Sequence, residues 1–277
     1  YEMLNLPVML QKNDYCFECG KKISLAGRFR RVIRLDFSSG FQFHPEFYNK
    51  LESACVSSIK QFWTNRFTLA KFGRKYSRNM FLNLRDIDNT KQLNYFIGSV
   101  ESDIFFFGSG ESAEKGIEIC KEAKNPFILC ADTAFQMLNA NNIIPNGIVV
   151  DEAQSVICQS FIGVRKAAFE GVQIFQSLCS LPHVAGKNFP KNQISFYATE
   201  YASNSFFENL KAENFFPPVV PAMGSVGITA YILAHLFRKN NTVPVYVYGL
   251  DFAYSKGKTH ARGTPAHNRQ IKKSNRL

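Results

Sequence analysis

The chain has 277 residues, 45% of them hydrophobic and 20% charged, with a formal net charge of +11. That length exceeds the ~100–200 residues usual for one domain, and the composition excludes disordered, fibrous and collagen-like classes. Seven cysteines at irregular spacing argue against a disulfide framework; with no apolar run of about 18 residues and no signal peptide, a cytoplasmic protein without a membrane span is expected.

A strongly positive chain suits an anionic partner. Two basic clusters stand out, Arg28, Arg30, Arg31 and Arg34 near the start and Lys256, Lys258, Arg262, Arg269, Lys272, Lys273 and Arg276 in the tail. Elsewhere the signs are mixed. A solvated face explains either cluster, and no nucleic-acid fold signature accompanies them, so a nucleic-acid partner is not expected. Cys16 and Cys19 make a lone C-x-x-C without a second pair or a His partner at zinc-finger spacing, so no metal site is expected.

Residues 1–98, rich in Phe, Lys and Asn, read as a smaller N-terminal α+β lobe with a helical linker. Phe62, Phe67, Leu69, Phe72, Tyr76, Met80, Leu84 and Ile87 recur at steps that predict one or two helices with an apolar, core-facing stripe.

From residue 99 to 277 short apolar runs alternate with helical segments, the pattern of a Rossmann-like, mostly parallel sheet with helices on both faces. Strands are predicted at Ile104 to Phe107, Phe127 to Ala131, Ile148 to Val150, Val172 to Phe175, Ile194 to Tyr197 and Val245 to Tyr248. A helix follows the first strand with Ser112 suited to its N-cap, and another runs from about Val226 to Arg238.

Strand, glycine turn and helix start follow one another from Asp103 to Ala113. Glycines at 108 and 110 permit close approach of a phosphate, and free N–H groups opening the helix supply donors. Gly108, Ser109, Gly110 and Ser112 are therefore nucleotide-binding candidates. Asp132, beside Thr133, follows the second strand at the spacing of a ribose-binding carboxylate, and Asp151 ends the third strand. Either acid also suits a helix cap. Gly224 and Ser225 open the later helix and offer a second anion seat; alternatively, the stretch serves packing, with Gly227 letting that helix lie tightly against the sheet. The last predicted strand leads into Asp251, Tyr254, Lys258, Thr259, His260 and Arg262. These residues supply an acid, a phenol, cations and an imidazole for acid/base work on an anionic substrate, with His260 the first catalytic candidate.

The strings RFTLAKFGRKYSRNMFLNL (66 to 84), IFFFGSGES (104 to 112), LCADTAFQMLNANNIIPNGIVVDEAQ (129 to 154), MGSVGITAYILA (223 to 234) and VYGLDFAYSKGKTHARGT (247 to 264) together resemble a known family. It is that of the motility accessory factor (Maf) flagellin glycosyltransferases, which includes 6-hydroxymethylpterin pyrophosphokinase-like proteins. The resemblance implies a sialyltransferase-like domain that takes a CMP-activated nonulosonic acid, with no further cofactor, and passes the sugar to Ser or Thr of flagellin or another surface protein. It implies that Gly108, Gly110, Ser112, Gly224 and Ser225 hold the nucleotide, that Asp132 and Asp151 line the pocket, and that Asp251 or His260 is the base.

The family loop usually carries Pro where this chain has Glu111. A carboxylate there favours an empty helix end but repels phosphate by about 1 kcal/mol at ~5 Å in water. Either Glu111 points outward, or a cation bridges it, or the site serves binding alone. Two further readings stand beside the transferase. One is ATP-dependent pyrophosphate transfer to a pterin alcohol, with Mg²⁺ held by acids such as Asp132, Asp151 or Asp251. The other is a non-catalytic nucleotide-binding scaffold. A dinucleotide oxidoreductase fits the first motif and Asp132 but finds no hydride site later in the chain.

Overall fold

The structure is a computed structural model describing residues 30–31, 33–36, 39–182, 184, 190–200, 205–212 and 216–274. Cys16, Cys19, Arg28, His183 and Arg276 lie outside the described residues. The chain divides into two compact units, one ending at Arg74 and one starting at Lys75.

Helix α1 (Pro45–Leu84) is a single helix of 40 residues, opened by a proline whose missing N–H removes nothing at a first turn. In the first unit Cys55 and Ile59 are buried. Arg34 bonds Asn49 at 2.8 Å and Glu52 at 3.2 Å, and the Arg30 guanidinium lies 4.8 Å from the Trp63 ring centroid. Two members of the first basic cluster are thus engaged within their own unit. The described residues of this unit are helical or irregular, with no strand among them.

The second unit holds seven strands: β1 (Ile104–Phe107), β2 (Phe127–Ala131), β3 (Gly147–Val150), β4 (Gln173–Ser177), β5 (Ile194–Glu200), β6 (Val219–Pro221) and β7 (Val245–Tyr248). All pair in parallel, in the order β6-β5-β4-β3-β2-β1-β7. Four helices of eight or more residues and one shorter one accompany them: α2 (Ala113–Glu122), α3 (Phe135–Ala140), α4 (Ser205–Ala212), α5 (Val226–Phe237) and α6 (Pro265–Ser274).

Period two assigns the strand residues to faces. Phe105, Phe107, Ile128, Cys130, Ile148 and Val150 pack with Ala113, Ile117 and Cys120 of α2. Ile104, Phe106, Leu129, Val149 and Phe175 pack with Ala230, Leu233, Ala234 and Phe237 of α5. Both faces of the sheet are covered, which is why its strands read as dense apolar runs. The β4 strand starts one residue later than its pattern suggested and extends through polar Gln176 and Ser177. Both are buried but partnered, Gln176 with the Leu181 carbonyl at 3.2 Å and Ser177 with the Thr199 hydroxyl at 3.1 Å. Strand β6, three residues ending in proline, is too short to announce itself by alternation.

The end of α1 contacts the carboxyl ends of β3 and β4 through two asparagines one turn apart. Asn79 Nδ2 donates to the carbonyls of Ala153 (3.2 Å) and Cys179 (3.1 Å), and Asn83 Nδ2 to those of Leu178 (2.8 Å) and Ser180 (3.1 Å). Met80 is buried between them, with Leu178, Cys179, Phe196 and Ala198. The apolar stripe is therefore core at Met80, but Phe67 is 65% exposed. Replacing Asn83 by Leu strands two carbonyls, each at about 1–3 kcal/mol. A thermal melt should place Asn83→Leu at least ~5 °C below the parent, and an unchanged melt would contradict this role.

From β1 the chain steps in one direction through β2 to β6, and α5 then returns it to β7 on the other side of β1. The strand order reverses at the β1/β7 boundary, and open parallel sheets bind ligands at the carboxyl edge of such a switch point.

Candidate functional site

Two segments leave the sheet at that boundary, the glycine turn after β1 and the long loop after β7, and they fasten to each other. The amides of Gly108 and Gly110 donate to the carbonyls of Tyr248 (2.7 Å) and Gly249 (2.9 Å). The Asp251 carboxylate accepts the Ser112 amide at 2.9 Å and the Ser112 hydroxyl, and that hydroxyl accepts the Gly249 amide at 2.7 Å. Ser112 therefore does not use its side chain to cap α2. The cap is Asp251, from 139 residues away, a carboxylate sitting where partial positive charge at the helix end favours an anion.

Close approach explains the glycines. A Cβ on Gly108 would stand 2.2 Å from the Gly249 carbonyl oxygen, and one on Gly110 would stand 2.5 Å from Asp251 Oδ2. These positions admit the second loop, whereas the sequence suggested room for a phosphate. Ala113 and Glu114 amides also have backbone partners, while the amides of Ser109 and Glu111 have none among the described residues. The first turn thus retains two free donors.

Glu111 turns toward the β7 loop, where it accepts from the Ser255 hydroxyl and pairs with Lys258 Nζ at 3.3 Å. Glu111 thus meets a cation of the chain itself. Ser255 first, then Lys258, hold its carboxyl below the usual range. Lys258 also pairs with Glu114 at 2.8 Å, and Glu114 accepts the Arg262 amide at 2.7 Å. With its ammonium between two carboxylates, Lys258 is a fastening between the loops in this arrangement. Lys258→Met should change stability by less than ~1 kcal/mol, since the pairs are partly exposed, yet speed proteolysis of the 252–262 segment. Unaltered cleavage kinetics would refute the fastening.

His260 Nδ1 lies 3.0 Å from the Thr259 hydroxyl, which donates to Gln270 at 3.1 Å, and the Tyr254 ring is 6.2 Å from the imidazole. Burial first, then the charge of Arg269, lowers the His260 pKa, leaving a neutral imidazole able to accept a proton near pH 7.

A second group of side chains gathers at the ends of β2 and β3 and the start of α5. Asp132 is 4% exposed and its carboxyl is pushed up to about 7, foremost by burial, opposed by hydrogen bonds from the Thr133 amide and Ser160, and raised further by Glu152 and Asp151. Asp151 is also shifted upward by burial. The Ser177 hydroxyl and then that of Thr229 of α5, 3.4 Å from Oδ2, oppose this, while Oδ1 is shielded from solvent and makes no hydrogen bond within 3.5 Å among the described residues. Ser225 caps α5 through its hydroxyl, which accepts the Gly227 amide at 3.2 Å. Gly224 holds φ +71° with nothing within 4 Å of where a Cβ would be. The two groups meet where Leu250 packs on α5, its Cδ1 only 2.6 Å from a Cβ built on Gly227.

The expected residues therefore form two adjoining clusters. Asp251, Ser112, Gly108, Gly110 and Lys258 join the loops, whereas Asp151 meets Thr229 of α5, the helix that Ser225 caps after Gly224, and Asp132 is buried against Ser160. Sequence reading overlooked Thr229, Ser160, Ser177 and Leu250, whose roles depend on partners distant in the chain. Among the described residues no group of three or more His, Cys, Asp or Glu is arranged to hold a metal ion. No helix among them is long and apolar enough to cross a membrane.

Comparison with known proteins gives three findings. A family model described as 6-hydroxymethylpterin diphosphokinase MptE-like matches residues 78–257. An uncharacterized protein of Treponema pallidum (strain Nichols) is 30% identical over 253 residues, which are 90% of this chain and 43% of that protein. A solved structure, that of the Maf glycosyltransferase from Magnetospirillum magneticum AMB-1, aligns at TM-score 0.49 and 14% identity over 94% of this chain and 44% of its own. The chain spans less than half the length of both proteins.

Proposed function

Because the chain belongs to the 6-hydroxymethylpterin diphosphokinase MptE-like family, we propose that it binds an activated nucleotide at the carboxyl edge of its sheet and transfers a group from it. The donor in this reading is a CMP-activated nonulosonic acid, and the acceptor is a Ser or Thr hydroxyl of flagellin or another surface protein. No cofactor beyond the donor is needed.

One observation carries the reading: α5 starts at an exposed Gly224 with nothing within 4 Å of a Cβ there, and the first turn of the same helix bears Thr229, which donates to Asp151 at 3.4 Å. A helix start offers donors and positive potential to a phosphate, and a carboxylate near it suits a ribose or sugar hydroxyl. The acceptor oxygen attacks the anomeric carbon as its bond to the CMP phosphate breaks. The hydroxyl proton passes to a base, a role that fits the neutral imidazole of His260, and the phosphate leaves against the α5 amides. Asp251, committed to Ser112, acts in this scheme as a positioning residue rather than as the base.

The family description favours a second reading, diphosphate transfer from ATP to a pterin alcohol. Of the acids named for its Mg²⁺, Asp251 is engaged with Ser112, and both Asp132 and Asp151 Oδ1 are shielded from solvent. Incubating the chain with CMP-sugar and acceptor under chelation separates the two. Transfer that persists, and falls about 100-fold or more in His260→Gln, supports the glycosyl reading. Chelator-sensitive use of ATP with hydroxymethylpterin, and none of CMP-sugar, would replace it.

A further inference from the structure

One acid-free run of positive charge follows the second half of α1. Between Ser53 and Arg85 lie seven Lys and Arg and no Asp or Glu, within a chain whose net charge is +11. Neither basic cluster noted from adjacent cations holds these residues. Lys60, Arg66, Lys71, Arg74, Lys75, Arg78 and Arg85 are all exposed. Arg85 reaches Asp86 at 3.9 Å, and Arg66 and Lys71 lie over the rings of Phe62 and Phe72 at 5.2 and 5.1 Å. Lys60, Arg74, Lys75 and Arg78 have no ion pair among the described residues.

Spacing aligns this charge. Lys60, Phe67, Lys71 and Arg74 follow one another at steps of seven, four and three along α1 within the first unit, which places them on one stripe. At 1.5 Å per residue the stripe is about 21 Å long. Phe67 stands on it among the cations at 65% exposure.

We propose that this stripe of α1 docks on an anionic phospholipid surface, its cations on the headgroups and Phe67 at the boundary with the acyl chains. Row-like cations and aromatics on one exposed helix side are the combination that holds a helix in the interfacial plane. Each Lys or Arg adds attraction to an anionic leaflet, whereas a phosphate backbone alone would need no exposed Phe67. Docking of this kind requires no membrane-crossing helix and is independent of the nucleotide reading.

The test is cosedimentation of the full chain with vesicles one-third phosphatidylglycerol against pure phosphatidylcholine. Binding should appear with the anionic vesicles only. Lys60→Glu/Lys71→Glu/Arg74→Glu should weaken it about 100-fold, while Lys256→Glu/Lys272→Glu/Lys273→Glu, with the same change in net charge, should leave it within about threefold. Phe67→Ser should lower the fraction retained in high salt. Because every substituted residue is exposed, unchanged circular-dichroism melts verify that the variants are folded. Equal binding to both vesicle types, equal loss in both triple variants, or tighter binding to a DNA duplex than to vesicles would overturn the proposal.

Discussion

Gly108→Ala is expected to lower the melting temperature by about 5–10 °C, with no nucleotide present. The added methyl would stand 2.2 Å from the Gly249 carbonyl oxygen and 2.8 Å from its carbon, both backbone atoms that no rotamer change can move. Forced overpacking of this kind costs about 1–3 kcal/mol or more, and a unit of roughly 200 residues shifts about 2–4 °C per kcal/mol. Gly224→Ala is the control. Nothing lies within 4 Å of its Cβ position, so only its left-handed φ of +71° opposes the change, at about 1–2 kcal/mol. If Gly108 is glycine solely to admit a phosphate, Gly108→Ala would melt like the parent and lose only nucleotide affinity. That outcome would refute the loop-to-loop role.

The second large effect is a pH dependence centred on Asp132. Its carboxyl has an ordinary value of 3.8 and is raised to about 7 in the folded chain, mainly by burial. Between those values the unfolded chain has lost the proton that the folded chain retains. Stability therefore falls as pH rises from about 4 to about 7 and is level above, with a total on the order of a few kcal/mol. Asp151, also raised by burial, acts in the same direction. Asp132→Asn removes the titration while keeping an acceptor for the Thr133 amide and Ser160. The melting temperature of the Asn variant minus that of the parent should grow from pH 5 to 7 and then plateau. A difference independent of pH would show that Asp132 is not held protonated by its surroundings.

The sheet was legible because burial on both faces turns each central strand into an uninterrupted apolar run. β1, β2 and β7 fall at their expected boundaries. β6 was not legible, because three residues ending in proline carry no periodicity and depend on β5 for pairing. At the site, the helix start at Ser225 could be read because a helix start is local, though not that its hydroxyl caps it. The cap expected of Ser112 is supplied by Asp251, which arrives from the far end of the chain. The same distance explains why Gly108 and Gly110 suggested a ligand when their close neighbour is protein, and why Glu111 looked troublesome until Lys258 was found beside it. The charge on α1 was missed for a different reason. Cations at helical spacing are dispersed along the sequence, and only the helix collects them on one side.

Calorimetric titration of CMP into parent and Ser225→Asp measures directly whether the start of α5 accepts a nucleotide's phosphate. Asp caps helices as well as Ser, so the variant should retain the fold while its carboxylate repels the incoming anion. Saturable binding to the parent is expected, with a loss of at least about tenfold in the variant at an unchanged melting temperature. Equal affinity in both proteins, or no heat with the parent at millimolar CMP, would contradict phosphate binding there.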